Sequence, residues 1–121
     1  GMMIADKLNH PFIYVRSTPK SHGRQNQIEG ELRKNSNVLV IEDLISTGKS
    51  SATAIKAIEN TGSKVIGLIS IFTYGLLKQS LINTPCISLC DYKTLINVAI
   101  KRSIINEQEK NILFEWQNDH N

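Results

Sequence analysis

Apolar positions along the chain switch between two periods, and the switches mark its elements. From Asn37 the run NVLVIED is continuously β-branched or Leu before it ends in two carboxylates. That pattern predicts a strand covered on both faces. Between Ser50 and Thr61 the period changes: Ala54, Ile55 and Ile58 share one helical stripe, and Gly62 stands where a left-handed C-cap is wanted. KVIGLISIF, residues 64–72, then reads as a second buried strand. Strand, helix, strand in that order predicts a right-handed βαβ unit on a parallel sheet.

The flanks are read in the same way. At the start, Met3, Ile4 and Leu8 have helical spacing and PFIYV is a short strand-like run, while Gly1 before a Met reads as a cloning remnant. Residues 17–27, STPKSHGRQNQ, hold no apolar side chain larger than Pro, which predicts a long mobile loop. LLKQSLI predicts a short helix and CISL a short strand. DYKTLINVAIKR predicts a helix capped by Asp91. Asn106 with Glu109 predicts a capping box opening a last helix that buries Ile112, Leu113 and Trp116.

Composition narrows the class. A length of 121 residues with 40% hydrophobic content suits one domain, residues 1–121, with a real core. The net charge of +3 comes from scattered Lys and Arg, which argues against nucleic acid as a partner. Cys86 and Cys90 lack the spacing of a zinc or redox motif and read as buried thiols. With no leader pattern and no apolar run of membrane-spanning length, a cytoplasmic setting without membrane association is expected. His10 and His120 match no motif and read as surface residues.

Candidate chemistry concentrates in IEDLISTGKS, residues 41–50. Gly48, Lys49 and Ser50 echo a Walker loop, but Asp43 stands where its leading Gly belongs and would aim a carboxylate at the anion. Another use accounts for every residue. The strand delivers Glu42 and Asp43 to its C-terminal end, where open α/β sheets bind ligands. Ile45 to Ser50 then turn into a helix start whose free N–H groups suit a phosphate. Carboxylates for ribose hydroxyls beside a turn for a 5′-phosphate describe a sugar-phosphate site.

The same residues resemble the phosphoribosyl pyrophosphate motif of type I phosphoribosyltransferases: a hydrophobic strand, two acids, two apolar residues, then Ser-Thr-Gly. YVRSTPKSHGRQNQIEG, residues 14–30, resembles the catalytic loop of the orotate phosphoribosyltransferase branch. IFTYGL and LCDYKTLINVAI resemble its later segments. The resemblance implies an α/β fold, a Rossmann-like parallel sheet flanked by helices. It also implies an N-terminal truncation, because family members begin upstream with a hood over the base, a first core strand and a pyrophosphate-binding loop.

The activity implied is transfer of phosphoribosyl from phosphoribosyl pyrophosphate to orotate in pyrimidine biosynthesis, with Mg²⁺ carried on the donor. Arg16, Lys20 and His22 match the loop cations that close over pyrophosphate, and with Asp43 they are the candidate catalytic residues. Glu42 and Asp43 match the acids on the ribose hydroxyls. Leu44, Ile45, Ser46, Thr47, Gly48, Lys49 and Ser50 match the 5′-phosphate cradle, with Lys49 contributing its N–H rather than its side chain, and Ser46 also matches a contact to orotate. A homodimer is implied, the loop of one subunit serving the other's site. Ser17 stands where many relatives carry Lys, and Glu42 where Asp is more usual. A non-catalytic donor-binding module and transfer to a different base, such as a purine, are the alternatives.

Overall fold

Continuous apolar runs need cover, and the fold supplies it on one side. The computed structural model describes residues 1–17, 27–78 and 80–120. Its elements in chain order are α1 (Met2–Lys7), β1 (Tyr14–Val15), β2 (Ile28–Glu29), β3 (Asn37–Ile45), α2 (Lys49–Glu59), β4 (Lys64–Thr73), β5 (Cys86–Asp91), α3 (Tyr92–Lys101) and α4 (Glu107–Asp119). β3, β4 and β5 form a parallel sheet in that order, while β1 and β2 pair antiparallel in a small ribbon. The expected strand, helix, strand unit is therefore present as β3, α2 and β4. Among the described residues no helix is long and apolar enough to cross a membrane.

The core lies between the sheet and α2. Val38, Val40, Val65 and Leu68 meet Ile55 and Ile58 of the helix, and Ile28, Ile45 and Ile82 close the cluster. Gly62 adopts the left-handed conformation, φ +85°, just beyond the helix as expected. The opposite sheet face differs from the expectation of cover on both sides. Leu39, Ile71, Ile87 and Leu89, which the register places on that face, are exposed by 46%, 61%, 64% and 77%.

Three further expectations are corrected. Residues 76–78 and 80–82 form no helix; Leu81 N–H instead closes a turn on the Lys78 carbonyl. The segment buries Leu76 and Ile82, six positions apart, and a seven-residue stretch has too few turns to sustain a helix unaided. Cys86 is exposed and Cys90 half-buried rather than buried, because β5 pairs on one side only.

The third correction concerns α4. Its capping box forms as predicted, with Asn106 Oδ1 accepting from Glu109 N–H and Glu109 Oε2 accepting from Asn106 N–H. The helix buries nothing fully, however, and Ile112 is 63% exposed. Lys110, Leu113, Phe114 and Gln117 form the half-buried stripe instead, rotated from the expected one. Two polar contacts set that rotation: Tyr92 Oη donates to the Leu113 carbonyl, and Gln117 Nε2 donates to the Tyr74 carbonyl. Trp116 packs at 5.7 Å ring separation on both Tyr74 and Tyr92 as part of a half-exposed aromatic cluster.

Leu68 is fully buried at the centre of the sheet. Leu68→Ala is expected to lower stability by about 3 kcal/mol, from lost transfer energy plus a cavity. Ile112→Ala, on the open side of α4, should change it by less than about 0.5 kcal/mol. Urea denaturation of both variants checks the contrast.

Candidate functional site

β3 runs two residues past its acids before the chain turns. Glu42 and Asp43 are successive strand residues, so they point to opposite faces of the sheet. Glu42 faces α2, where its Oε1 accepts from the Ser51 hydroxyl at 2.9 Å. Asp43 is exposed, and its Oδ1 accepts from the Leu44 N–H at 2.7 Å. The two acids thus reach the sheet's C-terminal end from either side rather than as one cluster.

Ser46, Thr47 and Gly48 make the turn, and α2 begins at Lys49 with Gly48 as its N-cap. Gly48 has φ +82°, a conformation costly for any residue with a Cβ. Space is a second constraint. A Cβ there would stand 2.2 Å from Leu77 Cδ1 and 3.3 Å from Ile82 Cδ1. No side chain caps α2, and Ala52 N–H is the first to bond back, to the Gly48 carbonyl. The N–H groups of Lys49, Ser50 and Ser51 therefore lack intrahelical acceptors.

Free helix-start amides of this kind suit an anion. A helix N-terminus at the surface gives an anion only about 0.3–1 kcal/mol, whereas each charge-assisted hydrogen bond is worth about 1.5–3 kcal/mol. Hydrogen bonds from the free amides would therefore matter more than the dipole. Ser46 and Ser50 are exposed and Thr47 half-buried, so their hydroxyls border the turn. Lys49 is exposed, as expected.

The other candidates lie elsewhere. Arg16 follows β1, and its Nη1 pairs with Glu29 Oε1 at 3.3 Å, both side chains being partly exposed. This ion pair is with the ribbon, not with an acid of the 42–50 segment. Lys20 and His22, with the rest of residues 18–26, lie outside the described residues. Among the described residues no three His, Cys, Asp or Glu side chains gather as a metal site.

A model of the phosphoribosyl transferase domain matches residues 1–101. The chain belongs to the phosphoribosyltransferase family. A relative named orotate phosphoribosyltransferase, from Phocaeicola vulgatus, is 46% identical over 125 residues, covering 98% of this chain and 58% of its own length. The solved orotate phosphoribosyltransferase of Aeropyrum pernix superposes with a TM-score of 0.71 at 29% identity, over 79% of this chain and 55% of that one. The Leishmania donovani UMP synthase structure gives 0.78 over 98% of this chain and 26% of its own, and at 22% identity it speaks for the fold. The chain thus spans a little over half the length of the curated relative it matches.

Several residues around this turn of the phosphoribosyltransferase chain were not singled out by its sequence. Ser51 is fully buried, yet it lies on the stripe with Ile55 and Ile58, so a small polar residue on an apolar face was the available signal. Leu77 and Ile82, which wall Gly48, were hidden by the helical pattern of 76–82. Thr73 and Gln117, which hold the neighbouring turn, carry no local signature.

Gly48 and Gly62 separate strain from space. Gly62 has a similar φ, but a Cβ there would meet nothing within 4 Å. Gly62→Ala is expected to lose about 1 kcal/mol from backbone strain alone. Gly48→Ala should lose somewhat more, about 1–2 kcal/mol, because the free end of the Leu77 side chain must also swing aside. Thermal unfolding of the two variants decides; equal losses would contradict the close packing at Gly48.

Proposed function

We propose that the chain carries the donor-binding part of an orotate phosphoribosyltransferase, which transfers phosphoribosyl from phosphoribosyl pyrophosphate to orotate and releases pyrophosphate. The observation that carries this is the uncapped start of α2 behind the left-handed Gly48, with Glu42 and Asp43 reaching the same strand end from both faces. The 46% identity over nearly all of the chain to a protein named for that activity supports the choice of base.

In this reading the 5′-phosphate is cradled by amides from Ser46 to Ser51 and by the hydroxyls of Ser46, Thr47 and Ser50. Asp43 takes the ribose hydroxyls together with the Glu42 oxygen that Ser51 leaves free. As the bond from C1′ to the pyrophosphate oxygen breaks, the leaving group keeps the electron pair and the ribose gains positive charge, which the two carboxylates oppose. A ring nitrogen of orotate then bonds C1′ and gives up its proton to the departing pyrophosphate.

Arg16, Lys20 and His22 act on the leaving pyrophosphate, with Arg16 exchanging Glu29 for that stronger anion. Mg²⁺ arrives on the pyrophosphate oxygens as part of the donor. Two copies associate as a homodimer, and the apolar face with Leu39, Ile71, Ile87 and Leu89 supports association with further protein.

The test combines orotate, phosphoribosyl pyrophosphate and Mg²⁺ and follows orotate consumption by ultraviolet absorbance, with donor binding followed by calorimetry. Asp43→Asn should weaken donor binding about tenfold or more, as expected for loss of a charged acceptor. Lys20→Ala should mainly slow turnover. Donor binding unchanged by Asp43→Asn would contradict the assignment.

A further inference from the structure

The loop that turns from β3 into α2 is braced at both ends by one short stretch, residues 73–77. At the entrance the Ile45 carbonyl accepts two bonds, from Tyr74 N–H at 3.1 Å and from Thr73 Oγ1 at 3.2 Å. At the exit, Leu77 fills the space against Gly48 where a Cβ would stand. Ile45 is 2% exposed and immediately precedes Ser46, so a shift of its carbonyl is passed directly to the loop.

The bracing stretch is itself fixed. The Thr73 hydroxyl donates to Ile45 and accepts from Gly75 N–H at 3.1 Å, which commits its one proton to Ile45. Gly75 has φ +74°, and a Cβ there would lie 3.1 Å from Gln117 Nε2. Gln117, on α4, donates that same Nε2 to the Tyr74 carbonyl at 2.6 Å, across 43 positions of sequence. Tyr74 is therefore bonded through its N–H to the loop entrance and through its carbonyl to the last helix. Its ring, between Phe72, Tyr92 and Trp116, holds it sideways.

We propose that Thr73 and Gln117 are positioning residues for the phosphate-binding loop, Gln117 acting at a distance through Tyr74. The inference deepens the donor-binding reading and rests on it. Neither residue needs to touch the ligand. Their bonds hold Ile45 and Leu77 so that the amides of residues 46–51 converge before the anion arrives, which removes an ordering cost from binding. Aromatic packing alone would dock α4 with an apolar residue at 117; the amide adds a fixed angular setting of that helix against the turn.

Calorimetric titration of ribose 5-phosphate into the full chain tests this, at a temperature where circular dichroism shows each variant folded. Thr73→Val keeps the shape and removes the hydroxyl, Gln117→Met keeps the length and removes the donor, and Thr73→Ser restores the hydroxyl. The first two should bind about fivefold more weakly or worse, the effect of one lost neutral hydrogen bond, while Thr73→Ser stays within about twofold of the parent.

Should Thr73→Val fail to fold, Gln117→Met on its half-buried site decides alone. Parent-like affinity in both Thr73→Val and Gln117→Met, or equal weakening by Val and Ser at 73, overturns the positioning role. No binding by the parent chain instead overturns the donor-binding reading beneath it.

Discussion

The left-handed turn at Gly48 is the constraint on which the turn from β3 into α2 depends. The chain leaving β3 reverses into α2 within three residues, and it does so through φ +82° at Gly48, a conformation costly for any residue with a Cβ. The consequence is an α2 N-terminus that no side chain caps, with its first amides bare at the C-terminal end of a parallel sheet. Packing against this turn explains the irregular course of residues 76–78 and 80–82. That stretch must lay Leu77 and Ile82 against the turn, and a regular helix would not present both there while also burying Leu76.

Around this turn, polar groups are placed where burial demands partners. Ser51 is completely enclosed and answers Glu42; Ser70, nearly so, shares a 2.6 Å hydrogen bond with Ser88 on the adjacent strand. The register puts Glu42, Ser70 and Ser88 in one row across the sheet, on the side that α2 covers. Among the described residues no buried side-chain nitrogen or oxygen is left without a partner. The half-buried Glu42 carboxylate, held by one hydroxyl, keeps a further oxygen able to accept hydrogen bonds, so the bond that stabilises the strand end also orients that oxygen.

Much of this was legible in the sequence because it follows from local periodicity. The change from a continuous apolar run to a helical stripe across residues 45–50 marked the turn, and Asp91 and Asn106 marked helix starts that the structure bears out through Thr94 N–H and Glu109 N–H. What sequence missed depends on neighbours far along the chain. The rotation of α4 is set by Gln117 meeting a carbonyl 43 residues away, so Ile112 and Leu113 gave no hint of which would face inward. The exposure of Leu39 and Leu89 follows from how many layers cover the sheet, and the open thiol of Cys86 from the edge position of β5, neither of which apolar content encodes. Ser51 sat in plain view, a hydroxyl on an apolar stripe, but its partner was set by the fold.

The most direct measurement of the central claim is a two-dimensional ¹H–¹⁵N spectrum recorded while ribose 5-phosphate is added. Amides that grip a phosphate shift strongly and saturably. The account predicts the largest shifts at Thr47, Gly48, Lys49, Ser50 and Ser51, with Ile45 and Tyr74 following weakly and α4 beyond Gln117 unmoved. Saturable shifts confined to another surface, with the residue 46–51 amides stationary, would contradict it.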